Sequence, residues 1–177
     1  MRMGQRNVRR TLLIQREGTM CMKTIGLIGS FRKNFDEIVA IKQYFQDNNL
    51  HVNNPIGNNL TKQGCLFVRC HGDNENDDDS MIQTKAIARL FKCDLVYVFV
   101  KDHFIGKTTC YEVGRLLQRG IPLYFSEKPD DFPLYIPSKR IISKEEVLYL
   151  AINGFETVFY SENNHPNEKL ENEIICH

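Results

Sequence analysis

Glu112 has the side chain in this sequence best suited by type and place to demanding chemistry. It stands in Thr109-Cys110-Tyr111-Glu112-Val113-Gly114-Arg115, which reads as the opening of a helix that follows a strand. A carboxylate there projects toward the strand ends. It could meet an electron-poor sugar carbon, because a carboxylate answers an oxocarbenium-like centre and covalent capture splits one hard step into two. The bland reading is an acid that complements the positive end of the helix dipole. On the residues alone, both stay open. Gly114 would let this helix lie close to its neighbour.

Two donor-rich turns accompany Glu112. In Gly29-Ser30-Phe31-Arg32-Lys33, Gly29 allows close backbone approach, Ser30 offers a hydroxyl and Arg32 a fork of donors. In Phe104-Ile105-Gly106-Lys107-Thr108-Thr109 the chain supplies a glycine, a cation and further hydroxyls. Each turn runs into a helix N-terminus, which favours an anion, so both suit a phosphate or a sugar hydroxyl. Neither is specific by itself. The G-x-x-x-x-G-K-[ST] loop and the complete G-x-G-x-x-G fingerprint are absent, which disfavours an NTPase or a redox dinucleotide enzyme.

The elements that must hold these residues follow from the hydrophobic pattern. Lys23–Gly29 is a β-branched, apolar run and reads as a buried first strand. Asn34 is the expected cap of a helix with Asp36 and Glu37 in its first turn and Ile38, Ile41, Tyr44 and Phe45 on one face. Leu50–Asn53 is a weak second strand, and Cys65–Val68 a brief one inside an irregular stretch over 54–79. Asp77-Asp78-Asp79 fits a solvated loop that caps the next helix better than a cation site, because the EF-hand spacing is missing. Ser80–Lys92 is helical, with Met81, Ile82, Ala86, Ile87, Leu90 and Phe91 forming its apolar face. Asp94–Val100 is the clearest central strand, and Asp94 itself reads as structural. A helix over Thr108–Arg119 closes at Gly120, and Ile121–Phe125 is a strand. Tyr135–Ile142 holds a short extended piece. Ser143 and Glu146 form a capping box for a last helix ending near Ile152.

Alternating strands and helices predict an α/β domain: a Rossmann-like or flavodoxin-like three-layer fold with a mostly parallel sheet of about five strands. Residues 22–153 would make the domain. Residues 154–177 would be a loosely ordered tail with a short strand near Thr157–Tyr160. Residues 1–21 are Arg-rich and lack the apolar core of a secretory signal. They read as an extension outside the fold, either a transit peptide or sequence upstream of a start at Met20 or Met22.

The chain has 177 residues, 42% hydrophobic and 25% charged, with a net charge of +1. That charge gives no electrostatic reason to expect a nucleic-acid partner. No apolar run approaches the roughly 18 residues a membrane span needs. Of the six cysteines, Cys65 and Cys70 with His71 come nearest to a ligand set, but the second close pair of a zinc site is missing. The expectation is reduced, mostly buried thiols in a cytoplasmic protein with neither metal nor cofactor. His71 and His103 lie in loops; His103 is close to the second turn, where it could contact a base, but solvent is its expected surrounding.

Several of these pieces, in this order, resemble the nucleoside 2-deoxyribosyltransferase-like family, which includes 2′-deoxynucleoside 5′-monophosphate N-glycosidases. Ile28-Gly29-Ser30-Phe31-Arg32 resembles the family's first turn, and Cys93-Asp94-Leu95-Val96-Tyr97-Val98 its central strand. The stretch from Phe104 to Arg115 resembles the element that carries the family's glutamate, and Gly120-Ile121-Pro122-Leu123 resembles the family's trailing turn after that helix. The resemblance spans roughly 23–126. It implies that Glu112 attacks C1′ and forms a glycosyl ester, with Tyr111 orienting it; packing is the other reading of Tyr111. It implies substrate contacts from Gly29, Ser30, Phe31 and Arg32, and from Gly106, Lys107, Thr108 and Thr109. It further implies a small nucleoside or nucleotide ligand and a homodimer or larger homo-oligomer. One departure marks a divergent member. The family often places an Asp about two helical turns before the strand aspartate, and this chain has Thr84, Lys85 and Ala86 there. Asp77, Asp78 or Asp79 could reach in from the loop instead.

Three functions are therefore weighed. The first is N-glycosidic cleavage or deoxyribosyl transfer through Glu112. The second is a nucleotide-sensing module without turnover. The third is an NAD-cleaving glycohydrolase.

Overall fold

The computed structural model describes residues 23–57, 60–62, 69–130, 132–160 and 165–175. The extension 1–21 and the strand expected at Cys65–Val68 lie outside the described residues. The first strand, β1 (Thr24–Gly29), is central and almost wholly buried. Its side chains alternate: Ile25 and Leu27 enter one apolar cluster, Ile28 the other. That period of two is what a strand covered on both faces requires.

Helix α1 (Phe31–Asp47) follows at once. Here the expected cap is corrected. The Ser30 carbonyl accepts from the Lys33 and Asn34 amides at 3.0 and 2.9 Å, so the helix starts at Phe31. Asn34 instead sits inside as a kink, with φ −130° and ψ 37°. Asn competes poorly for helical geometry, which makes it a natural place for the break. Beyond the kink, Ile38, Ile41 and Phe45 face the sheet.

Next come β2 (His51–Asn54) and a separate antiparallel pair, β3 (Leu60–Lys62) with β4 (Arg69–Cys70). Helix α2 (Asp79–Leu90) is capped by Asp78, whose carboxylate accepts from the Met81 amide at 2.7 Å. Met81 is exposed and leaves the apolar face that the sequence assigned it. Strand β5 (Leu95–Phe99), helix α3 (Lys107–Gln118) and strand β6 (Leu123–Phe125) complete the central layer. Asp94 accepts from the Thr24 amide at 2.7 Å and ties the start of β5 to β1. Helix α4 (Lys144–Asn153) opens with both halves of the Ser143–Glu146 capping box.

The main sheet is parallel, with order β2-β1-β5-β6. Crossovers leaving β1 in opposite directions put their helices on opposite faces. Helices α2 and α3 pack with Ile28, Val96, Val98 and Phe125 on one face, and α1 and α4 pack with Leu27, Leu95, Tyr97 and Tyr124 on the other. The fold is therefore α/β, Rossmann-like and flavodoxin-like, in three layers. Among the described residues the sheet has four strands where about five were expected. The fifth position holds a single parallel bridge from Phe125 to Ile141. Pro137, which cannot donate to a ladder, and the 3₁₀ turn Ser138–Arg140 prevent a longer strand.

The packed body also runs past residue 153. Phe159 and Tyr160 are buried, and α5 (Pro166–Ile175) follows. No strand forms at Thr157–Tyr160, because a fully buried guanidinium takes the carbonyls a ladder would use. Arg140 donates to the carbonyls of Glu156, Val158 and Phe159.

Candidate functional site

In a sheet of this order the crevice lies beyond the carboxyl ends of the strands flanking the topological switch, here β1 and β5. A cavity of about 550 Å³ opens there. Its size falls in the ~300–1,000 Å³ range of small-molecule sites.

The two donor-rich turns form one wall. Gly29, Ser30, Phe31 and Arg32 line the cavity from the end of β1, and Gly106, Lys107, Thr108 and Thr109 from the start of α3. Gly29 is fixed by space: a Cβ there would lie 2.7 Å from the Phe99 carbonyl oxygen. The turns are fastened to each other, with the Lys33 ammonium 3.4 Å from the centre of the Phe104 ring and a Lys101–Glu37 ion pair beside it. Neither Ser30 nor Gly106 supplies a side-chain cap to its helix. The leading amides of α1 and α3 are thus left for a ligand.

Glu112 faces the same cavity and is only 6% exposed. Its Oε1 accepts from Gln83 Nε2 of helix α2 at 3.0 Å. Burial pushes this carboxyl from its ordinary 4.5 up to about 7, and the Gln83 hydrogen bond pulls part of the way back. The bland reading, a first-turn acid serving the helix dipole, fails by position: α3 begins at Lys107 and has no acid in its first turn. A buried carboxyl raised in this way is a candidate acid, base or nucleophile.

Tyr111 is corrected. It is 48% exposed, lies outside the cavity wall, and accepts from Arg115 Nη1 at 2.6 Å. One residue of helix turns it about 100° away from Glu112. Gly114 is corrected too, since a Cβ there would meet nothing within 4 Å. The acidic loop does not reach in either. Asp77 pairs with Lys85, Asp78 caps α2, and Asp79 pairs with Arg69. His103 is exposed, its Nδ1 2.8 Å from the Lys128 carbonyl.

The sequence reading missed the lining from β2, the acidic loop and α2, which includes the polar side chains of Asn54, Asp73, Gln83 and Arg89. Gln83 and Arg89 share with Ala86 an i, i+3, i+6 row, so one strip of α2 faces the cavity. That spacing was visible in the sequence, but polar residues among Ile82, Ala86 and Leu90 read as the solvent side. Arg89 Nη2 donates to Asn54 Oδ1 at 3.3 Å and lies 4.0 Å from Asp73 Oδ1. The charged lining is thus Arg32, Lys107 and Arg89 against Glu112 and Asp73, a balance that admits an anionic ligand. Among the described residues no His, Cys, Asp and Glu group is placed to hold a metal ion, and no helix is long and apolar enough to cross a membrane.

The fold and site define an α/β protein with a cavity at the switch point of its sheet. No protein-family model and no curated protein matches the chain. It is similar in structure to a conserved protein from Enterococcus faecalis V583, at 16% identity and a TM-score of 0.40, over 88% of this chain and 96% of that one.

Proposed function

We propose that the cavity binds a nucleoside or nucleotide and that Glu112 cleaves its N-glycosidic bond. The observation that carries this reading is a buried carboxyl, held by a neutral amide at 3.0 Å, facing a cavity walled by two donor-rich helix starts. In the ionised form the free oxygen of Glu112 attacks C1′. The C1′–N bond breaks, its electron pair leaves with the base, and the base takes a proton from water. Water then opens the glycosyl ester and releases the sugar; a second base in its place gives deoxyribosyl transfer. Arg32, Lys107 and the leading amides of α3 would hold a 5′-phosphate. The ligand is a small molecule, the compartment the cytoplasm, and the assembly a homodimer or larger. A monomer by light scattering would remove the last of these.

A second reading, a nucleotide sensor, is favoured by one observation. The partner of Glu112 is the amide of Gln83, and no second carboxylate hydrogen-bonds it among the described residues. One panel separates the readings. The protein is incubated with deoxynucleosides, their monophosphates and NAD, and free base is measured. Release that is lost in Glu112→Ala supports cleavage, and release from NAD alone identifies a glycohydrolase. Saturable binding without release, kept in Glu112→Gln, makes it a sensor.

A further inference from the structure

Arg89 stands out among the cavity residues because its hydrogen-bonding capacity is largely unspent. Its Nε is buried and has no partner among the described residues. Its one hydrogen bond within the cavity wall, from Nη2 to Asn54 Oδ1, is long at 3.3 Å. Asp73 Oδ1 lies 4.0 Å from the same nitrogen, beyond hydrogen-bond reach, and the Asp73 side chain is only 9% exposed. The other carboxylate oxygen, Oδ2, accepts from the Cys70 amide at 2.8 Å, which fixes how the group faces the cavity. The Arg89 Nε has no open surface, so a ligand would meet the guanidinium through its Nη groups, where the hydrogen bond already made is the long one to Asn54.

We propose that Arg89 and Asp73 read the base of the ligand and select a lactam edge, a carbonyl oxygen beside a ring N–H. The assignment rests on the nucleoside reading of the cavity and names the base class for that site. Along α2, Gln83 and Arg89 are about 9 Å apart on the helix axis, with the small Ala86 between them. A ligand whose sugar meets Glu112 therefore extends its base past Ala86 toward Arg89. The charge of Arg89 is balanced by Asp73, so this end does not favour a phosphate, which would meet a carboxylate. Arg32 and Lys107 line the same cavity with no carboxylate partner among the described residues and are the charges left for a phosphate. What fits between a guanidinium and a carboxylate is a neutral edge with a strong acceptor and a strong donor side by side. In hypoxanthine the 6-carbonyl accepts from Arg89 and N1–H donates to Asp73. Adenine presents a weaker acceptor in place of the donor and an amine in place of the carbonyl, so both charged groups face the wrong partner. Sites built to satisfy such a pair reject the mismatched analogue strongly.

The test compares inosine, 1-methylinosine and adenosine, each as the nucleoside and the 2′-deoxynucleoside. Binding is measured by calorimetry on full-length Glu112→Gln, and base release on the wild type. Inosine should bind at least about tenfold more tightly than adenosine, and N1-methylation should remove that advantage. Asp73→Asn, whose amide both donates and accepts, should shrink the inosine preference to under about threefold. Equal or tighter binding of adenosine, or full binding of 1-methylinosine, would overturn the assignment, and the methylated ligand decides even if the Asp73 variant misfolds. The two readings fail separately. Base selectivity without release from any nucleoside removes the cleavage and keeps the subsite. Release without selectivity keeps the cleavage and removes the subsite, and absence of any binding removes both.

Discussion

Gln83 of α2 donates to Glu112 of α3 across 3.0 Å, and this amide is the contact that orients the buried carboxyl. One oxygen is held and the other is left toward the cavity. Because the partner is neutral, burial sets the proton affinity of the group. That pairing, with the turns around it, fixes how the protein should respond to pH and to substitution.

If ionised Glu112 is the nucleophile, kcat/KM should rise with pH through about 7, where the buried carboxyl loses its proton. A pH–rate profile on the unphosphorylated substrate isolates this limb from phosphate titration. A limb centred near 4.5, the ordinary value, would show that the carboxyl is solvated in the working protein.

Stability should carry the same signature. The folded carboxyl keeps its proton up to about pH 7, whereas an unfolded one releases it near 4.5, so the folded chain binds more protons in between. This contribution is fully present below the unfolded value and is lost as pH rises through the folded one. Glu112→Gln removes the loss. It should be about 3 kcal/mol more stable than wild type at about pH 8 and nearly equal to it at about pH 4. Urea unfolding at the two pH values measures this, and a destabilised variant at the higher pH would contradict the burial argument.

Tyr111 points away from the cavity and bonds Arg115 on the surface. Tyr111→Phe should therefore change turnover by less than about twofold, the effect typical of a surface substitution. A loss of an order of magnitude would restore the orienting role that the family resemblance implies.

Arg32→Ala should weaken binding of a monophosphate about tenfold more than binding of the matching nucleoside, because a charge-assisted contact is lost only in the first. Titration calorimetry with the two ligands gives the ratio directly. Equal losses would take the phosphate away from the first turn.

Much of this site could be read in the sequence, for a physical reason. Strand ends and helix starts are local signals. Gly29 to Arg32 and Gly106 to Thr109 could thus be assigned to one rim before any tertiary information, and both turns do line one cavity with Glu112. What could not be read is contact across long separations. Gln83 meets Glu112 over 29 residues of chain, and Arg89 meets Asn54 over 35. Neither pairing leaves a trace in local periodicity. The same limit explains the tail. Phe159 and Tyr160 lie in a stretch of polar residues, and their burial rests on distant partners: the Phe125 ring, the Tyr135 carbonyl and the Arg140 guanidinium. Tyr111 failed for the opposite reason: adjacency in sequence suggested adjacency in space, which a helix denies.

The most direct test of the central claim is the mass of the peptide bearing Glu112 after acid quench during turnover of a nucleoside. The account predicts a pentosyl adduct on that carboxylate, absent from Glu112→Gln, whose base release should fall at least about a thousandfold. A pentosyl group mapped to another residue, or base release at the wild-type rate from Glu112→Gln, would contradict it.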